Sequence, residues 1–329
     1  MSATPNRRMV AVILLIPVVV ILALWAFAWP AARIAPHDLP VGVAGSAPDA
    51  DRLQQRFEQR EGAFEIHRYA SEADARRAME DRSVYGAVVV TPQGPQLLTA
   101  SAASPVVAQL LREAVTAQAP EGAQVRVTDV VAAPAGDPRG SALGASFLPL
   151  AIAGVLSGSA VTMLRLRGGR AALALIGVAT LVGIGAAALT DNWLGVITGG
   201  WWPEAGTLGL TVLAIGGTVA GLAALIGPPG IGLGALLMVL LGNPFSGVTS
   251  APELLPRPIG TIGQLMPPGA GGSLLRSVAF FDGSGAGGAL LTLTLWAALG
   301  LTAVLIGGRR RDRPPAAPAA STPEPALVG

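Results

Sequence analysis

The chain has no lysine, no cysteine and only two histidines, His37 and His67. Each absence closes a class of chemistry. Without lysine, all 22 basic side chains are arginine, so a Walker phosphate loop lacks its essential cation, and Schiff-base and Ser-Lys catalysis lack their amine. Without cysteine there is no thiol nucleophile, thiolate metal site or disulfide. Two histidines this far apart do not make a zinc-protease H-E-x-x-H cluster. Charge is also scarce: 13% of the 329 residues are charged, 51% are hydrophobic and the mean hydropathy is +0.57. A soluble protein of this length does not tolerate that balance, so the chain reads as a membrane protein. Its arginines flank apolar runs instead of forming a basic patch, so no nucleic-acid partner is expected and no cofactor is implied.

Residues 10–29 carry no charge and follow Arg7 and Arg8, long enough to cross a bilayer core of about 30 Å as a helix. The "AFA" at 26–28 resembles a signal-peptide cleavage site, but the apolar core is longer than a signal h-region, which favours an uncleaved anchor. Residues 33–139 differ in kind, with 11 arginines and 14 acids. "LPVGVAG" (39–45) and "VYGAVVV" (84–90) read as buried strands, "FEIHRYA" (64–70) alternates with period two, and "PQLLTAS" (95–101) and "AQVRVTDVV" (123–131) read as further strands. A helix is expected from Asp49, with Leu53 and Phe57 on one face. A second is expected over 72–82 behind a Ser71/Asp74 capping box, and a third over 105–118 with proline at its start.

Beyond "APAGDPRG" the chain turns apolar again. Spans are expected near 143–164, 171–190, 205–226, 228–248 and 287–308, with short outer-leaflet helices between 251 and 285 and a disordered tail over 309–329. The resulting fold class is a mainly α-helical polytopic membrane protein of six transmembrane helices, with an external α/β domain (30–142) inserted between the first and second. Arg7, Arg8, Arg165, Arg167, Arg170, Arg309, Arg310, Arg311 and Arg313 fall on one side; Asp191, Glu204, Glu253 and Asp282 fall on the other. The positive-inside rule then makes both termini, including residues 1–9, cytoplasmic. On this reading the spans contain no ionisable side chain, which disfavours proton-coupled transport.

"GNPFSGVTSAPELLP" (242–256) raises the question of catalysis at Ser246. Its flanks are not a G-x-S-x-G elbow and no histidine is near, so no enzyme is expected. Isolated acids such as Glu253 and Asp282 are read as solvated or paired with Arg257 or Arg276. Length points to a structural role instead. From Pro228 to Gly242 a helix reaches only about 22 Å, short of roughly 30 Å, so Asn243, Pro244, Ser246 and Gly247 are expected to form a broken helix end at membrane depth.

This layout resembles the ABC-2 type permease superfamily, most of all YhgE/Pip (phage infection protein) and related actinobacterial membrane proteins. The resemblance rests on "GNPFSGVTSAPELLP", "IGQLMPPGAGG" (262–272) and "LLRSVAFFDG" (274–283), with weaker likeness in "LPVGVAG", "SEADARRAME" and "VYGAVVVTP". It implies a plasma-membrane permease subunit of an exporter, dimeric with itself or a relative, moving an amphiphilic substrate among membrane lipid. No nucleotide-binding domain is fused, so a separate ABC ATPase is implied, meeting the "RLRGGR" loop at Arg165, Arg167 and Arg170. The alternative is a non-transporting scaffold or surface protein that binds through the external domain.

Overall fold

A computed structural model describes residues 5–45, 51, 55, 62–91, 94–117 and 125–311. Of the helix expected from Asp49 only residues 51 and 55, both helical, are described; of the tail expected over 309–329, residues 309–311 instead continue the last helix and the rest lies outside the described residues. Five helices are long and apolar enough to cross a membrane, and the chain is a polytopic membrane protein. They are α1 (Pro5–Ala31), α4 (Ser141–Met163), α5 (Gly168–Ala187), α6 (Trp201–Ile226) and α10 (Ala286–Arg311). The six long spans of the sequence reading become five because the segment after Pro228 is short. It forms α7 (Pro229–Ala235), continued by one π-helical stretch, Leu236–Gly242.

Between α1 and α4 lies a five-stranded sheet: β1 (Leu39–Ala44), β2 (Phe64–Tyr69), β3 (Gly86–Thr91), β4 (Gly94–Thr99) and β5 (Arg126–Asp129), in the order β2-β1-β3-β4-β5. β1 runs parallel to β2 and β3, β4 is antiparallel to β3 and β5 is parallel to β4, with Gly42 opposite both His67 and Ala87. Helix α2 (Glu72–Glu80) starts where Ser71 Oγ accepts from Asp74 N at 3.2 Å, and α3 (Pro105–Thr116) where Ser104 Oγ accepts from Val107 N at 3.2 Å. Both serines satisfy amides that have no partner within the helix. The helices cover opposite faces: Ala75, Ala78 and Met79 of α2 pack with Ala44, Ala87 and Leu98, whereas Val107, Leu111 and Val115 of α3 pack with Leu39, Val41, Val88 and Leu97. This alternation is the period-two pattern of the strands.

The sheet is not a free-standing unit. Phe281 belongs to the core on the α2 face, and Ala251 and Leu254 belong to the core on the α3 face. These residues flank α8 (Ile259–Gln264) and α9 (Pro267–Phe280), which lie between the sheet and the long helices.

Helix α6 is the axis of the bundle. Gly209 lets α5 approach, since a Cβ there would lie 2.9 Å from Ala179 O, and Gly158 on α4 would place one 2.6 Å from Gly216 O. Small residues at such seams let backbones touch where hydrophobic burial gives no net drive between helices in lipid.

Candidate functional site

A cavity of about 760 Å³ lies where the sheet meets α8, α9 and the start of α10. Its walls include His37, Arg82 and Tyr85 from the sheet side, Glu253 and Gln264 from the connecting segment, and Gly288 from α10. Six hydrogen bonds hold these parts in register. Tyr85 OH donates to Glu253 Oε2 at 2.7 Å, and His37 N donates to Glu253 O at 2.8 Å. Arg82, at the end of α2 with a left-handed φ of 60°, donates from Nη1 to Ser273 O at 2.8 Å and to Ser277 Oγ. Ser273 Oγ donates to Gln264 Oε1 at 2.6 Å, and Gln264 Nε2 donates to Ser246 O at 2.7 Å. A continuous polar chain thus runs from the sheet to the end of the α7 segment.

Electrostatics follow from burial. Desolvation pushes Tyr85 well above the ordinary tyrosine range, reinforced by the Glu253 carboxylate, so Tyr85 stays a donor. Arg276, 6% exposed, is lowered by burial to about 10 and remains charged at neutral pH; it donates to Val248 O. Burial also lowers Arg82, opposed by Tyr85 and Glu253.

The residues singled out in sequence fall into three places. Asn243, Pro244, Ser246 and Gly247 follow the last turn of the α7 segment, where the helix stops. Ser246 Oγ donates to Asn243 O at 2.6 Å and accepts from Val248 N at 3.3 Å, so its hydroxyl is spent on the turn. Gly247 has φ of 65°, and a Cβ there would lie 2.7 Å from Pro252 N, so only glycine fits. Glu253 and Arg276 are drawn toward the polar chain, while Asp282, φ 50°, is exposed at the end of α9. Arg165, Arg167 and Arg170 are exposed at the other end of the bundle. There Arg165 and Arg167 line a smaller cavity of about 330 Å³ with Gly227, Pro228 and Gly308.

Two expectations are corrected. Glu253 pairs with neither Arg257 nor Arg276: it takes the Tyr85 hydroxyl, while Arg257 pairs with Asp38. The helices also run past the acids meant to end them. α5 continues through a π-helical turn, Ala188–Trp193, that includes Asp191, and α6 begins at Trp201, which places Glu204 in its first turn with no exposed surface. The amide of Gly199 donates to Glu204 Oε1 at 2.8 Å, and the positive end of the α6 dipole favours an anion there.

Tyr85 and Arg82 were not legible as site residues. Their partners lie 168 to 195 positions away, and no local pattern signals such pairing. Residues 7–133 match the family model described as ABC-2 family transporter protein. The match covers α1 and the sheet with its helices, under half of the chain, and stops before α4. Neither the curated proteins nor the solved structures yield a significant match.

Proposed function

We propose that the chain is the membrane-spanning, permease-type subunit of an ABC-2 exporter that moves an amphiphile with energy from a separate ATPase. The observation that carries this reading is the match of residues 7–133 to an ABC-2 transporter family, in a chain whose remaining residues build an apolar helical bundle sharing its core with the matched part. In the proposed arrangement the α7 segment and the turn after it make a sixth crossing, the sheet lies outside the plasma membrane, both termini are cytoplasmic and two subunits pair. The likeness to YhgE/Pip-like proteins belongs to this proposal. Arg165, Arg167 and Arg170 then face the cytoplasm, where exposed guanidinium groups suit an acidic groove on an ATPase. The cavity where the sheet meets α8, α9 and the start of α10 is the proposed place for the amphiphile; Trp29 of α1 packs beside it against Leu255 and Ile259, and tryptophans gather at membrane–water interfaces.

A scaffold acting through the sheet alone is the weaker reading. Such a role does not call for Phe281 and Leu254 to complete the sheet's two cores.

The reading is tested by purifying the tagged protein in mild detergent. An ATPase is expected to co-purify, and the triple variant Arg165→Ala, Arg167→Ala, Arg170→Ala is expected to reduce its recovery about tenfold or more while leaving the elution profile unchanged. Recovery of no nucleotide-binding subunit by the unaltered protein overturns the proposal.

A further inference from the structure

The cavity beneath the sheet contains a cation that packing alone does not explain. Arg82 uses only Nη1 in hydrogen bonds, to Ser273 O and Ser277 Oγ. Nε and Nη2, which carry three of the five guanidinium N–H donors, make no hydrogen bond among the described residues. No described carboxylate lies within ion-pair distance of Arg82 either. The wall's own acids are already engaged: Asp38 with Arg257, Glu253 with the Tyr85 hydroxyl, and Glu65 at 3.4 Å from His67 Nε2. A second group on the same wall is buried His37 Nδ1, which makes no hydrogen bond among the described residues.

Arg82 is also held in place. Its guanidinium carbon lies 5.3 Å from the centre of the Phe281 ring, and its stem runs beside Gly285, where a Cβ would lie 3.5 Å from Arg82 Cβ. A fixed guanidinium with free donors offers the paired hydrogen bonds that a carboxylate or phosphate accepts.

The rest of the cavity is suited to a chain. Gly288 and Thr292 of α10 form one wall, and one face of that helix carries on through Leu295 and Leu299, which are 52% and 67% exposed. Nothing lies within 4 Å of a Cβ built on Gly288, so the wall is open at that point. Leu265, 62% exposed, lines the same cavity, and its carbonyl accepts from Trp296 Nε1 of α10 at 2.8 Å, which fixes it beside that helix. The cavity therefore passes from a fixed cation to an apolar, outward-facing helix surface.

We propose that this cavity binds the acidic headgroup of an amphiphile, with a phosphate or carboxylate on the free N–H groups of Arg82 and the apolar chains leaving between Leu265 and the Gly288–Thr292–Leu295 face of α10. The inference deepens the permease reading, on which it rests for the amphiphile being cargo.

The test uses the full-length protein in nanodiscs and photoactivatable lipids: phosphatidic acid, a long-chain fatty acid, and, as controls, phosphatidylcholine and diacylglycerol. Labelling by at least one of the two acidic probes is expected to exceed both controls about tenfold, and the stronger of the two identifies the acid. Arg82→Gln is expected to bring acidic labelling down to the control level, and Arg82→Lys to keep part of it. Gly288→Leu, which leaves the guanidinium and its partners untouched, is expected to reduce labelling several-fold by closing the open wall. It decides the matter if Arg82→Gln does not elute as folded protein. Equal labelling by the controls, or acidic labelling unchanged in a folded Arg82→Gln or in Gly288→Leu, overturns the proposal. The two readings fail separately. Labelling that does not depend on Arg82 removes this site whatever the ATPase result, while absence of an ATPase with Arg82-dependent labelling removes the permease reading and leaves an acidic-lipid site.

Discussion

Helices α1 and α6 are both apolar and long enough to cross a membrane, yet only 6% of the apolar stretch of α1 is buried in the protein against 67% for α6. The difference is written in side-chain size. α1 presents Val, Ile and Leu on every side, with Leu14, Leu15 and Ile21 each 63% exposed. α6 is broken up by glycine and threonine, with Gly209, Gly216, Gly217 and Gly221 meeting α4, α5 and α10. Its threonines return their hydroxyls to the helix: Thr207, Thr211 and Thr218 each donate to the carbonyl four residues earlier. In a bilayer the lipid tails are as apolar as leucine, so burial is chosen by closeness of approach rather than by hydrophobicity.

Substitutions at three positions test that contrast. The largest effect is expected at the seam between α5 and α6. A Cβ on Gly183 would lie 2.8 Å from Gly209 N and 2.9 Å from Gly209 Cα. Gly183→Leu should therefore cost about 3 kcal/mol or more, seen as a collapse of the thermal unfolding midpoint in detergent. A smaller loss is expected at the mouth of α6. Glu204→Ala removes the acceptor of the Gly199 amide and should cost about 1–3 kcal/mol, while Glu204→Gln, which keeps an acceptor oxygen, should recover much of it. The smallest effect belongs to α1, where Leu15→Ala should change stability by less than about 0.5 kcal/mol. A loss at Leu15 as large as at Gly183 would break the comparison and mean that α1 packs against another chain.

The sequence exposed some of this directly. The strands read at 39–45, 64–70 and 84–90 appear at Leu39–Ala44, Phe64–Tyr69 and Gly86–Thr91, because their periodicity and the breakers around them are local signals. Ser71 caps α2 for the same reason. Helix ends near the acids were misread, since an acid in an apolar run argues for water until a backbone amide such as that of Gly199 is known to receive it. The π-helical stretches at Ala188–Trp193 and Leu236–Gly242 have no sequence signature of their own. At the site, the glycine and proline shaping of residues 242–247 was legible, because Gly247 and Pro244 declare backbone geometry by type. The link of Tyr85 to Glu253 was not, because it depends on how two distant segments meet.

The sharing of the sheet's cores with Phe281 and Leu254 has a consequence for how the protein is made. Residues 39–129 emerge from the ribosome well before residues 251–281, so on synthesis the sheet's two apolar sockets stand open while most of the bundle is still being translated. The sheet reaches its final packing only after α8 and α9 arrive. Until then it presents exposed hydrophobic surface of the sort that chaperones hold.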